Sequence, residues 1–150
     1  MPHPQIRVLG VYRVDPTGQL FHQAMSMKYG GLMLSTRERA AAEAAVREEL
    51  SSIALIELAV DNPDEQFNVS HFVQPGSDQA PYDEAYLSPD GSTVQSKLHP
   101  PPGASLRLAF FLHFFKPGIP LGTTYGEVPL PAIDEMPERL QRLLPYEPVT

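Results

Sequence analysis

The sequence predicts an α+β domain: a mostly antiparallel β-sheet, folded as a sandwich or an open barrel, with one amphipathic helix over about 36–50 and a short C-terminal helix. Three observations carry this expectation. Several short segments alternate apolar and polar side chains, as half-buried strands do. One segment has helical spacing behind a capping signal. The 17 prolines, about twice the usual share, break the chain into short elements. With 150 residues, a domain removes roughly 68–70% of its unfolded surface from water, so it needs no metal or disulfide staple. Residues 1–150 show no repeat and no internal boundary, and read as a single domain.

The elements follow in order. Ile6 to Val14 is β-branched and aromatic, with Ile6, Val8, Tyr12 and Val14 assigned to one face and Arg7 and Arg13 to the other. Asp15-Pro16-Thr17-Gly18 has the residue order of a type I turn. Phe21, Gln23, Met25, Met27 and Tyr29 alternate with polar and small residues, which favours a second strand, although Leu20, Ala24 and Met27 also fit a helix ending at Gly30-Gly31. Ser35-Thr36-Arg37-Glu38 is a capping box, and Ala42, Val46, Leu50 and Ile53 form the apolar stripe of the helix behind it.

At Ala54 the period changes from helical to extended. Ala54, Ile56, Leu58 and Val60 alternate with Leu55, Glu57 and Ala59 until Asn62-Pro63-Asp64 turns the chain. Phe67 to Val73 predicts another strand, and Pro75 to Gly103 a long loop with extended pieces at Glu84–Leu87 and Thr93–Leu98. Ser105 to Lys116 is apolar on both faces, so both should be covered, by the helix, a second sheet or another subunit. After a Gly/Pro-rich loop, Glu127 to Pro131 suits a sheet edge. Asp134 would cap a last helix whose face is Met136, Leu140, Leu143 and Leu144. The span Ile53 to Pro131, with Asp61-Asn62-Pro63, Asn68-Val69-Ser70 and Pro102-Gly103-Ala104-Ser105 opening its apolar strand, loosely resembles small immunoglobulin-like sandwiches of bacterial accessory proteins. That resemblance implies a second sheet and assigns no functional residue.

Charge is distributed unevenly. No Lys or Arg occurs between Arg47 and Lys97, whereas Glu48, Glu49, Glu57, Asp61, Asp64, Glu65, Asp78, Asp83, Glu84 and Asp90 all fall there. The segment 48–96 therefore contributes −10, and the remaining 11 basic and 8 acidic residues contribute +3, giving −7. Gathered on one face, these carboxylates would steer a basic protein surface inward and repel nucleic acid. Asp61, Asp64, Glu65, Asp78, Asp83, Glu84 and Asp90 are accordingly the expected binding residues.

Catalytic signals are weak. The absence of cysteine excludes disulfides and thiolate chemistry. There is no Gly-x-Ser-x-Gly turn, no phosphate-cradling loop and no histidine pair at i, i+4, and no cofactor or metal is expected. The acidic loops offer calcium-type oxygens, but no spacing matches an EF-hand. His71 and His113 fall on apolar faces of expected strands, where with Asp83 or Glu84 they would make an acid/base pocket if the strands were neighbours. The leading expectation is a binding or regulatory protein, such as an inhibitor, immunity-type or accessory factor, presenting an acidic surface to a basic protein partner. The alternatives are a small enzyme or ligand pocket on the two histidines, and a homodimer formed by self-association through the doubly apolar strand. Met1 to Arg7 lacks a secretory signal, and Leu108 to Phe115 falls far short of the roughly 20 residues of a spanning helix, so a cytoplasmic protein away from membranes is expected.

Overall fold

A computed structural model describes residues 4–15, 18–63, 67–77, 81–95 and 105–143. The elements run β1 (Gln5–Arg13), α1 (Gln19–Tyr29), α2 (Thr36–Ser51), β2 (Ala54–Asp61), a 3-10 turn (Val69–His71), β3 (Tyr82–Leu87), β4 (Val94–Gln95), β5 (Leu106–Leu112), β6 (Leu121–Thr123), β7 (Gly126–Val128), β8 (Asp134–Glu135) and α3 (Glu138–Leu143). One six-stranded sheet has the order β4-β3-β5-β2-β1-β8, antiparallel except for the β1–β8 pair. The α+β class with a mostly antiparallel sheet therefore holds. Among the described residues the sheet is open, however, and the second sheet is the β6–β7 hairpin.

β5 and β2 occupy the middle because both of their faces are apolar. Ile56, Leu58, Val60, Leu108, Phe110 and Leu112 line one face and meet Val69, Phe72 and Leu121 from the 3-10 turn and the hairpin. Leu55, Ala109 and Phe111 line the other and meet Phe21 of α1, Val46 and Leu50 of α2 and Leu140 of α3. Both covers of β5 thus come from this chain.

Four local expectations are corrected. Residues 21–29 lie in α1 rather than a strand: Phe21 is buried, Leu20, Ala24, Met25 and Tyr29 pack beside it, and Met27 points out at 70% exposure. Helical spacing, with residues of good helix propensity, beats the fortuitous alternation. Residues 67–73 do not form a strand, because the Asn68 carboxamide accepts from the Ser70 amide and winds the chain into a 3-10 turn. Only Val73 keeps an extended pairing, with Gly122. Asp134 caps no helix: it pairs in β8 beside Tyr12, and α3 begins after Pro137, whose carbonyl accepts from Leu140 and Gln141. Finally, β1 does not hold one phase. A bulge between Val8 and Gly10 leaves Val8 and Val11 on the face of the 3-10 turn and puts Tyr12 and Val14 on the helix face. Of the extended pieces in the long loop, Glu84–Leu87 lies within β3 and Thr93–Leu98 contributes Val94–Gln95, while 96–98 and Leu144 lie outside the described residues.

The capping box is present as the sequence implies. The Ser35 hydroxyl accepts from the Glu38 amide at 3.1 Å, and the Glu38 carboxylate accepts from the Ser35 amide at 3.1 Å. Ser35→Ala is expected to lower stability by about 1 kcal/mol, a loss of roughly 3 °C in Tm for a domain of this size, measured by thermal denaturation followed by circular dichroism.

Candidate functional site

The most concentrated chemistry lies on the helix face of the sheet, where Glu57 of β2 is wholly buried. Its register neighbours are among the smallest available: Gly10 in β1 on one side and Ala109 in β5 on the other. The space above them is filled diagonally. Tyr12 lies back over Gly10, so closely that a Cβ at Gly10 would overlap its ring. Arg107 reaches in from two residues along β5, and Arg139 comes down from α3.

The hydrogen bonds are complete. Arg139 clamps the carboxylate through two parallel bonds, Nη2 to Oε1 and Nη1 to Oε2, each 2.7 Å. Arg107 donates to Oε2 from Nε at 3.2 Å and Nη2 at 3.0 Å, and the Tyr12 hydroxyl lies 3.3 Å from Oε1. Arg107 also donates to the Pro89 carbonyl at 2.9 Å, and Arg139 lies 3.4 Å from that of Gly91. Gly91 has φ +74°, and a Cβ there would stand 2.7 Å from the Arg107 guanidinium carbon, so only glycine lets this loop close over the cluster. One carboxylate and two guanidiniums leave a net charge of +1, with the Arg107 and Arg139 side chains 19% and 33% exposed.

Burial pushes the Glu57 carboxyl up, but the hydrogen bonds and charges of Arg139 and Arg107 outweigh it and hold the group below the ordinary glutamate value. Burial, then the nearby carboxylate, raises Tyr12. The Glu57 hydrogen bonds raise Arg139. A carboxyl depressed on folding contributes stability that is complete above its unfolded value and is lost as pH falls through its folded value. Urea unfolding between about pH 5 and pH 3 should therefore show stability falling with acid, and Glu57→Gln should flatten that slope.

The expected binding residues divide into groups. Asp61 is held by Arg7 Nε at 2.8 Å and by the Ser105 hydroxyl at 2.6 Å, and these bonds depress its carboxyl. Asp90 accepts from the hydroxyls of Ser88 and Ser92, both at 2.6 Å, and from the Ser92 amide at 3.0 Å, and these contacts hold it far below the usual aspartate range. Glu84 is exposed in β3, as is Asp90 in the turn after it. Asp64, Glu65 and Asp78 lie outside the described residues, as does the side chain of Asp83. Elsewhere in the acidic segment, Glu49 pairs with Lys28. Basic residues from both ends of the chain thus fold over Glu49, Glu57 and Asp61.

The two histidines are not brought together. His71 is exposed in the 3-10 turn, whose Val69 packs on one face of the sheet. His113 follows the end of β5 on the other side: burial lowers its imidazole, with Glu49 of α2 and Lys28 of α1 as its charged neighbours. Among the described residues no group of three or more His, Asp or Glu is placed to hold a metal ion. No described helix is long and apolar enough to cross a membrane.

Sequence reasoning missed the Glu57 cluster. Its signal was present: a carboxylate within β2 and an arginine near the start of β5, the two most apolar strands, must find partners if those strands are buried. What fold and site define is an α+β domain with a buried, fully hydrogen-bonded polar centre of one carboxylate and two guanidiniums. No protein-family model matches the chain, and no significant match to it is found among curated proteins or solved structures.

Proposed function

We propose that this chain is a binding or regulatory protein, of inhibitor, immunity-type or accessory character, that meets a basic protein partner through the acidic margin formed by β3, β4 and the turn between them. One observation carries this reading. Arg107 and Arg139, which reach the turn between β3 and β4, direct their guanidiniums to Glu57 and to the Pro89 and Gly91 carbonyls. The Asp90 carboxylate is held ionised at the surface by hydroxyls rather than by a cation. An anionic edge of this kind raises encounter rates with a positive surface and disfavours a phosphate backbone.

Asp61 is engaged with Arg7, and Asp64, Glu65 and Asp78 lie outside the described residues; the reading is put to test at Asp83 and Glu84 of β3, beside the turn that holds Asp90. The test is salt-sensitive capture from native lysate by the immobilised chain, compared with Asp83→Lys/Glu84→Lys. Asp90 stays unchanged because it organises its turn. A basic protein retained by the wild type and lost by the variant is the expected result. Equal recovery by both proteins, with the variant folded, overturns the reading.

A further inference from the structure

The outer face of α2 is charged against its own helix. The free amides at a helix N-terminus favour anions and the free carbonyls at its C-terminus favour cations. In α2 the first turns carry Arg37 and Arg39 on either side of the capping Glu38, and the last turn carries Glu48 and Glu49, with no basic residue there. Glu49 pairs with Lys28, and Arg39 lies beside Glu43. Among the described residues, Arg37 and Glu48 have no ion-pair partner.

These two residues bracket an unpartnered surface. Ala42, Val46 and Leu50 face the core. Arg37, Ala40, Ala41, Ala44, Ala45 and Glu48 are all exposed, and at about 100° per residue they fall within roughly 140° of arc, opposite the buried stripe. Just before the helix, Leu32 is 60% exposed and Met33 fully exposed. Large apolar side chains so displayed, joined to an apolar helix face, mark an interaction surface.

We propose that this surface is the two-fold interface of a homodimer in which α2 packs antiparallel against α2 of a second copy. The residue pattern is its own complement under that operation, as an isologous contact requires. Arg37 falls opposite the partner's Glu48, and Glu48 opposite the partner's Arg37. Ala40 falls opposite the partner's Ala45, and Ala41 opposite the partner's Ala44. Side chains no larger than a methyl allow the axes to approach to about 8 Å. Each misplaced charge then lies at the end of the neighbouring helix whose dipole it suits.

The register also places the apolar ends. Leu32 and Met33 precede α2 at the end that meets the C-terminal end of the partner's α2, where in each chain the Ser52 carbonyl accepts from Phe115, next to the exposed Phe114. Leu32 and Met33 thereby extend a helix contact that alone falls short of the roughly 800 Å² per partner of a standard interface. The inference does not rest on the acidic margin. It replaces β5, covered within its own chain, as the surface for self-association.

Sedimentation equilibrium of the purified chain over about 1 µM to 1 mM should show a monomer–dimer equilibrium. Arg37→Glu and Glu48→Arg, each placing like charges opposite at two symmetric positions, should weaken dimerisation about tenfold or more at low salt. The double variant Arg37→Glu/Glu48→Arg should restore it. Each single change improves the match to the helix's own dipole, so the dilute monomer should melt no lower than wild type, which separates lost association from lost folding. A wild-type monomer across the whole range overturns the proposal. So does a dimer indifferent to both reversals, or one that the double variant fails to recover. A different protein bound at α2 of a monomeric chain overturns it as well.

Discussion

Glu57→Ala is expected to cost about 3–5 kcal/mol of folding stability, because it breaks a buried ion-pair network and leaves its partners facing one another. Arg107 and Arg139 both direct their guanidiniums at the Glu57 carboxylate. Without it, two like charges share a half-buried space, and the Tyr12 hydroxyl loses its acceptor there. The damage should spread to α3, a six-residue helix anchored on the sheet by Leu140 and Arg139. Urea denaturation gives the global loss, and hydrogen exchange at the α3 amides shows whether the helix detaches first. A control separates electrostatics from packing. Replacing the whole network by apolar side chains, Glu57→Leu/Arg107→Met/Arg139→Met, should recover most of the loss, because no charge remains to be desolvated. A Glu57→Ala loss below about 1 kcal/mol would be the size of a surface ion pair and would contradict the burial and pairing described for this carboxylate.

The sheet's centre was legible because its signals are local. β2 and β5 announce themselves by alternation on two apolar faces, and α2 by a capping box whose two hydrogen bonds lie within four residues. The cluster was legible only in part: Glu57 and Arg107, each in an apolar strand, signal a need for partners, but the partners come from far along the chain. Arg139 stands 82 positions from Glu57, and nothing near either residue announces the pairing. Counting charge along the sequence therefore grouped Glu57 with the acidic segment, although the fold buries it. The β1 bulge was hidden for a related reason: Ile6, Val8, Tyr12 and Val14 look like one face until the register with β2 shows the phase change at Gly10. The strand expected over residues 67–73, on which the histidine pocket was built, failed with the same kind of step, since Asn68 turns the chain there instead.

Phe72→Ala should cost about 3–5 kcal/mol, as truncation of a buried phenylalanine does when the surrounding structure cannot collapse into the space. Phe72 follows the 3-10 turn and is wholly buried on the face opposite the helices, its ring edge-on to Phe110 of β5 at 6.2 Å and to Phe67 at 5.7 Å. The cover on this face consists of short pieces rather than a long element. The 3-10 turn is tied to the β6–β7 hairpin by the paired backbone bonds of Val73 and Gly122, at 3.0 and 2.6 Å. It is tied to the loop between β5 and β6 by the Gln74 carboxamide, which accepts from the Lys116 amide and donates to the Lys116 and Ile119 carbonyls. Without the Phe72 ring, these polar ties must hold the cover against conformational entropy, and each contributes only about 1 kcal/mol. The Val73 and Gly122 amides should accordingly exchange well before the β2 and β5 amides in Phe72→Ala, while in the wild type they should be protected together with the core. Phe114→Ala is the matched control: its ring is 54% exposed, so its stability should change by no more than about 0.5 kcal/mol. Wild-type protection at Val73 and Gly122 in Phe72→Ala would mean that the backbone ties, and not the aromatic contact with Phe110, close this face of the sheet.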